Sequence, residues 1–233
     1  MDLQGRNAVV TGGAGALGSA VVARLLEAGA VCHVPAFDDG EAARFPHAGH
    51  ERVRLGVAGD LADWDAVERF YSGIDGLWAS IHLAGGFDMG GIAETPPGMF
   101  QRQMSMNAAT CYLCCRAAVA ALRRAGAGGR IVNVAARPGV EPRSGAGMAA
   151  YAAAKAAVAA LTQALAEEVA AEGILINAVA PSILDTPANR AAMPDADHAA
   201  WPKTAQVAET IAFLAAPASA ATRGAVVPVY GVV

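Results

Sequence analysis

The chain has 233 residues, enough for one α/β domain with a sizeable core. Hydrophobic residues make up 55% and charged residues 16%, which suits a sheet covered on both faces, and the net charge of −4 argues against a nucleic-acid surface. No run approaches the roughly 18 uninterrupted apolar residues of a membrane span, and Met1–Arg6 enters the first strand with no signal-peptide core, so a cytoplasmic location is expected.

The first element in chain order is a strand over Asn7-Ala8-Val9-Val10. It is followed by Thr11-Gly12-Gly13-Ala14-Gly15-Ala16-Leu17-Gly18 and then by an amphipathic helix over Ser19–Glu27. Strand, glycine turn and helix form the context in which Gly13, Gly15 and Gly18 read as a G-x-G-x-x-G dinucleotide turn. Glycine allows close backbone approach to a pyrophosphate, and the helix N-terminus offers that anion free N–H groups and partial positive charge. Further strands are expected at Ala30–Val34, Arg52–Val57, Leu77–Leu83, Arg130–Val134, Ile174–Val179 and Ala225–Val229. Helices are expected near Asp63–Tyr71, Pro97–Arg124, Ala149–Ala171 and Thr204–Ala216. This alternation predicts a doubly wound, Rossmann-like α/β fold with one parallel sheet and helices on both faces, the whole chain forming a single domain. The stretch Ser182–Lys203, with three prolines and many small or polar residues, reads as a substrate lid. Cys111, Cys114 and Cys115 fall together in a helix without histidines at ligand spacing, so no metal site is expected and they read as small apolar packing residues, as does Cys32.

Tyr151 and Lys155 stand one helical turn apart on one face. An ammonium beside a phenol stabilises the phenolate, and a tyrosine so tuned can exchange a proton with a substrate near neutral pH.

These features together resemble the short-chain dehydrogenase/reductase family over essentially the whole chain. Thr11–Gly18 matches its glycine turn, with Ala16 where many members have glycine. The resemblance places Gly12, Gly15, Ala16 and Leu17 at the cofactor phosphates and Asp60-Leu61 at the adenine. Ala84-Gly85 remain of the N-N-A-G motif, which reads His82-Leu83-Ala84-Gly85 here. Asn107 matches the asparagine that supports the catalytic lysine through water, and Tyr151-Ala152-Ala153-Ala154-Lys155 matches the active-site motif. Asn177–Pro181, Ile183 and Thr186 match the segment that cradles nicotinamide. The implied catalytic residues are Tyr151, Lys155 and Asn107, the implied cofactor NAD(H) or NADP(H), and the implied assembly a dimer or tetramer paired through the two long helices. Cys111, Cys114 or Cys115 would lie in that contact.

One departure stands out. Asn133-Val134-Ala135-Ala136-Arg137 has no hydroxyl where the family places its serine, and Ser144 is either a replacement or a plain loop serine. The dihydropteridine reductases, a branch of the family, also lack that serine. They are similar in Ala84-Gly85-Gly86-Phe87, in Gly147-Met148 before Tyr151, and in Leu184–Arg190 with Met193–Asp197 and Trp201. That resemblance implies reduction of a quinonoid dihydropteridine or similar flat ring, with Phe87, Met148 and Trp201 at the substrate. Phe87 and Trp201 either stack on the ring or simply pack. The other readings are a carbonyl reductase or alcohol dehydrogenase on a small substrate, and a non-catalytic nucleotide sensor. No Arg or Lys lies near Pro35–Asp39, and Asp38 falls about where the ribose-binding acid is expected, although the family's strand spacing points to Ala36. NADH is therefore expected over NADPH.

Overall fold

A computed structural model describes residues 2–232. Seven strands form one parallel sheet: β1 (Asn7–Thr11), β2 (Val31–Ala36), β3 (Val53–Val57), β4 (Leu77–His82), β5 (Gly129–Val134), β6 (Ile174–Pro181) and β7 (Val226–Val229). Their order is β3-β2-β1-β4-β5-β6-β7. Parallel neighbours need crossover connections, and the helices supply them. The sheet grows outward in both directions from β1 and β4. The carboxyl ends of those two strands therefore open the crevice where doubly wound sheets bind ligands.

The period of two along a strand divides the core. In β1, Ala8 and Val10 face one apolar layer, which includes Val21, Val22 and Leu25 of α1 (Ala16–Glu27). Val9 faces the other layer, with Tyr71, Leu122 and Val158. Central strands buried on both faces explain the near-continuous apolar runs in the sequence.

Several expected elements are refined. Residues 16–18 already belong to α1, whose N-cap, Gly15, makes no side-chain cap bond. A short helix absent from the sequence reading, α2 (Asp39–Arg44), follows β2, and α3 spans Trp64–Ser72. The long helix expected at Pro97–Arg124 is α4 (Met99–Gln103), a π-helical turn (Met104–Ala109) and α5 (Thr110–Ala125). Hydrophobic periodicity in a short stretch does not resolve a single π-turn; such turns recur at functional sites. The loop after β5 holds α6 (Arg137–Val140) and a 3₁₀ turn, Pro142–Gly145. Helix α7 (Ala149–Glu168) stops before Ala171; Gly173, with φ +71°, ends the 3₁₀ turn that follows. The segment 182–203 is ordered by α8 (Pro187–Ala192) and a 3₁₀ turn, His198–Ala200, and α9 (Thr204–Ala215) completes the layer beside α1.

Helix α7 is long and apolar enough to cross a membrane by length and composition, but it packs against β6 and carries the buried Lys155. Cys111, Cys114 and Cys115 face inward at 4%, 0% and 0% exposure, so they lie in the core and not in a contact between chains.

Candidate active site

The glycine turn is held in place by Thr11, whose hydroxyl accepts hydrogen bonds from the N–H groups of Leu83 (3.1 Å) and Ala84 (3.2 Å). A Cβ on Gly12, which has φ +65°, would sit 2.8 Å from the backbone nitrogen of Ala84. Turn and β4 terminus therefore meet with no room for side chains. The groove beside them, about 580 Å³, includes Gly12, Gly15, Asp60, Leu61, Ala84 and Gly85 among its lining residues. That volume suits a cofactor. The first turn of α1, through Ala16 and Leu17, carries no acidic residue, so its N-terminal end is electrostatically open to a phosphate. These residues fit a nicotinamide dinucleotide.

The acid that lines the groove at the end of β2 is Glu41, not the expected Asp38. Asp38 caps α2, its carboxylate accepting from the Glu41 N–H at 2.7 Å. Phe37 and Glu41 line the groove instead, with Pro35, and Glu41 accepts from the Phe37 N–H at 2.5 Å. An Asx cap turns the carboxylate back on its own helix, whereas Glu41, one turn on, faces the strand end. Ala36 is buried in β2.

Tyr151 lies in the first turn of α7, its ring edge-on to Phe87 with centroids 4.9 Å apart. Lys155 is 8% exposed, donates to the Val134 carbonyl at 2.8 Å, and sits 5.9 Å from the Tyr151 ring centroid. Burial pushes the Tyr151 phenol up to about 12 and the Lys155 ammonium down to about 8, with the charge of Cys111 opposing the lysine's fall. The expected lowering of the tyrosine by the lysine is therefore not seen. The ammonium is committed to the strand carbonyl, and desolvation dominates both groups.

Asn107 sits in the π-turn, 1% exposed. Its amide donates to Gly86 O (3.0 Å), Gln103 O (3.2 Å) and Gln103 Oε1 (3.0 Å), and its carbonyl accepts from Gly86 N at 3.3 Å. It thus clamps the Gly85-Gly86 turn and has no direct bond to Lys155. A Cβ on Gly85 would be 2.5 Å from its Oδ1, which explains glycine there. Gln103 in turn holds Asp88 at 3.0 Å, and Arg102 pairs with the same carboxylate.

A second hollow, about 270 Å³, opens beside the first turn of α7 and is lined mainly by apolar groups, among them Met89, Ile92, Pro96, Phe100, Met148 and Ala150. Phe87 is 52% exposed and available to a substrate. Trp201 is not: it is 6% exposed, and its ring packs on His198 at 4.6 Å. Ala135 and Ala136, both buried, close β5 with methyl groups where a hydroxyl would be expected. Ser144 is exposed in the Pro142–Gly145 turn, and its hydroxyl donates to the Glu141 carbonyl at 2.8 Å. That bond matches a loop serine's local role and leaves no donor for a substrate. Of the residues expected at the nicotinamide, Pro181 closes β6, Ile183 is exposed, and Thr186 caps α8 by accepting from Asn189 N–H at 3.2 Å. Asp185 and Arg190 form a two-pronged ion pair that pulls the Asp185 carboxyl below its ordinary range.

The model of the short chain dehydrogenase family matches residues 6–197. The chain belongs to the short-chain dehydrogenase/reductase family. It is 33% identical over 246 residues to cis-4-hydroxycyclohexanecarboxylate dehydrogenase of Sinomonas cyclohexanicum, covering 97% of this chain and 95% of that one. It is likewise 33% identical over 248 residues to galactitol 2-dehydrogenase of Rhizobium johnstonii, covering 97% and 94%. Among solved structures, ElxO with NADP bound superposes with a TM-score of 0.88 at 24% identity, covering 98% of each chain, a likeness of fold. The protein is an NAD(P)-dependent oxidoreductase of the short-chain dehydrogenase/reductase type.

Proposed function

We propose that the protein interconverts a secondary alcohol and its ketone on a small, largely apolar substrate. The carrying observation is Tyr151, backed by the buried Lys155 and edge-on to Phe87, next to the apolar hollow between Met89 and Met148. The family relatives are dehydrogenases of hydroxylated compounds, one of them a cyclohexane. The quinonoid dihydropteridine reading loses its support, because Trp201, one of its two proposed stacking residues, is buried against His198 and these relatives are named as dehydrogenases of hydroxylated compounds.

When bound, the nicotinamide supplies or accepts the hydride. Tyr151 gives its phenolic proton to the carbonyl oxygen in reduction and takes the alcohol proton in oxidation. Lys155, held at Val134 and 5.9 Å from the Tyr151 ring centroid, supplies a positive charge that steadies the phenolate once the proton has left, whereas in the resting site desolvation of the phenol outweighs it. Asn107 keeps the Gly85-Gly86 turn open for the cofactor. A panel of cyclic ketones, cyclic alcohols, polyols and quinonoid dihydropterins, each with both nicotinamide cofactors, tests the reading. Turnover of ketones and alcohols is the expected result; turnover confined to dihydropterins overturns it.

The pH profile follows from the two shifted groups. Tyr151 stays protonated up to about 12, so it is a competent acid throughout the neutral range. Lys155 is charged below about 8 and neutral above it. Ketone kcat/KM is therefore expected to be level at lower pH and to fall above about 8, approaching tenfold per pH unit. A profile without a break near that pH removes the lysine charge from the proton path.

Preference for NADH over NADPH belongs to the same proposal, resting now on Glu41. Its carboxylate lines the groove at the end of β2, where a 2′-phosphate would meet like charge. Glu41→Gln is expected to improve NADPH binding by about tenfold or more relative to NADH, the scale of a charged hydrogen bond. Asp38→Asn, which changes only the cap of α2, is expected to leave the ratio unchanged. Fluorescence titration of both cofactors checks this, and a ratio that moves with Asp38 returns the selectivity to that residue.

A further inference from the structure

Beneath the active site, the apolar layer that contains Tyr71 and Leu122 encloses a polar cluster that the proton path leaves unused. His82 ends β4, Cys111 and Cys115 lie on one face of α5 at i, i+4, and Asn133 lies in β5. All four are at least 96% buried. The Cys115 sulfur is 3.5 Å from His82 Nδ1 and 3.4 Å from Asn133 Oδ1, and His82 Nδ1 is 2.8 Å from Asn133 Oδ1. The Cys111 sulfur completes the group, with the His82, Cys111 and Cys115 donor atoms all within 4.8 Å of one another.

These separations approach the edges of a tetrahedral metal site. With metal–sulfur bonds of about 2.3 Å and metal–nitrogen or metal–oxygen bonds of about 2.0–2.2 Å, donor atoms lie roughly 3.3–3.8 Å apart. Two edges already have that length. The histidine–asparagine edge has to open by about half an ångström, and Cys111 has to close inward by up to about one, relative to those bond lengths. The surroundings hold the donors as outer partners of a metal site do. His82 Nε2 meets Ser80 Oγ at 2.8 Å and Tyr71 OH at 3.4 Å, which leaves Nδ1 for the cluster. Asn133 Nδ2 donates to Thr162 Oγ1 at 2.9 Å, and the Thr162 hydroxyl in turn donates to the Val158 carbonyl at 2.8 Å. That chain fixes the amide so that its oxygen, not its nitrogen, faces His82 and Cys115.

We propose that His82, Cys111 and Cys115, with Asn133 Oδ1 as the fourth donor, form a binding site for a thiophilic dication of the zinc class. As the metal enters, both thiols lose their protons to solvent, His82 changes tautomer so that the proton Nδ1 gives to Asn133 Oδ1 in the metal-free chain sits on Nε2 and is donated to Ser80 Oγ, and the two thiolates balance the dication. The filled site then buries no net charge. Packing alone would be served by alanine or valine at 111 and 115 and needs no imidazole between them. In sequence His82 lies 33 residues before Cys115 and reaches the thiols only because α5 lies across β4, so ligand spacing along the chain does not reveal it.

The test uses the full chain and metal alone, with no cofactor or substrate, so it is independent of the proposed reaction. Because the donors are buried, the chain is both incubated folded and refolded from denaturant with Zn²⁺ or Co²⁺, then separated from free metal by gel filtration. One equivalent of Zn²⁺ per chain is expected. The Co²⁺ form should show the intense thiolate charge-transfer and tetrahedral ligand-field bands. His82→Asn and Cys111→Ala are each expected to abolish retention, and Ser80→Ala to weaken it by about 10- to 100-fold, the scale of a lost outer partner. Absence of retained metal in the parent chain by both routes overturns the proposal. So does unchanged retention in the Cys111→Ala/Cys115→Ala double variant. Where a variant fails to fold by circular dichroism, the parent's Co²⁺ spectrum decides together with that of a Cys32→Ser/Cys114→Ser variant: a thiolate band kept in that variant supports the site, and a band lost there overturns it.

Discussion

Tyr151→Phe is expected to lower turnover by about 10² or more while cofactor binding changes little. The substitution keeps the ring, and with it the edge contact to Phe87 at 4.9 Å, so the wall of the site is preserved. What disappears is the one proton that this chain offers to a carbonyl oxygen from that wall. Nothing adjacent replaces it: Ala135 and Ala136 present methyl groups, and Ser144 donates to Glu141 in its own turn. A positioned acid or base contributes about 10²–10⁴ in rate, and a factor of 10² corresponds to about 2.7 kcal/mol of barrier. Steady-state kinetics on a ketone found in the substrate panel, together with a cofactor titration, separates the two terms. Near-full turnover in the variant moves the proton to another donor. Loss of cofactor binding in equal measure makes Tyr151 a binding residue instead.

The parallel sheet and the pairing of Tyr151 with Lys155 were legible in the sequence because both depend on local spacing. A buried parallel strand shows as an uninterrupted apolar run such as Asn7–Val10, and i, i+4 on one helix needs no knowledge of the rest of the fold. The glycine turn was legible for the same reason: strand, turn and helix are contiguous. The details that escaped depend on partners from distant segments or on geometry without a sequence signature. Asp38 and Glu41 are both acids near the end of β2, and only the direction in which α2 leaves the strand decides which faces the groove. Trp201 is aromatic in a polar stretch, like a substrate platform, but it is covered by the 3₁₀ turn that brings His198 onto it. Tyr151 was expected to be drawn down by Lys155. The outcome reverses because the Val134 carbonyl, at the end of β5, accepts the lysine's hydrogen bond and burial raises the phenol. Asn107, expected to support Lys155 through water, lies in the expected helical stretch, but the π-turn aims its amide at Gly86 and Gln103.

Gly18→Ala tests the glycine turn where its packing is tightest. A Cβ at Gly18 would collide with the carbonyl oxygen of Gly12 and lie 2.6 Å from the Gly13 Cα and 2.8 Å from the Gly12 carbonyl carbon. All three are backbone atoms, so no side chain can rotate away. Either α1 moves off β1 or the turn opens. Moving α1 disrupts the layer made by Val21, Val22 and Leu25 against Ala8 and Val10. Overpacking of this kind costs about 1–3 kcal/mol where side chains can adjust, and a clash confined to backbone belongs at or above the top of that range. For a domain of this size that is a fall of about 6–12 °C in Tm. Opening the turn also displaces Gly12, which already meets Ala84 with no space to spare. Dinucleotide affinity should therefore fall together with stability. Gly15→Ala provides the contrast: its Cβ would meet only the Gly12 carbonyl at 3.3 Å, and Gly15 has φ −72°, open to any residue. That variant is expected to keep its Tm within a few degrees and to lose cofactor affinity alone, because its new methyl stands in the groove that Gly15 lines. Thermal melts with and without dinucleotide separate the two cases. Equal Tm losses at 18 and 15 would remove the close approach of α1 to the turn as the reason for glycine at 18.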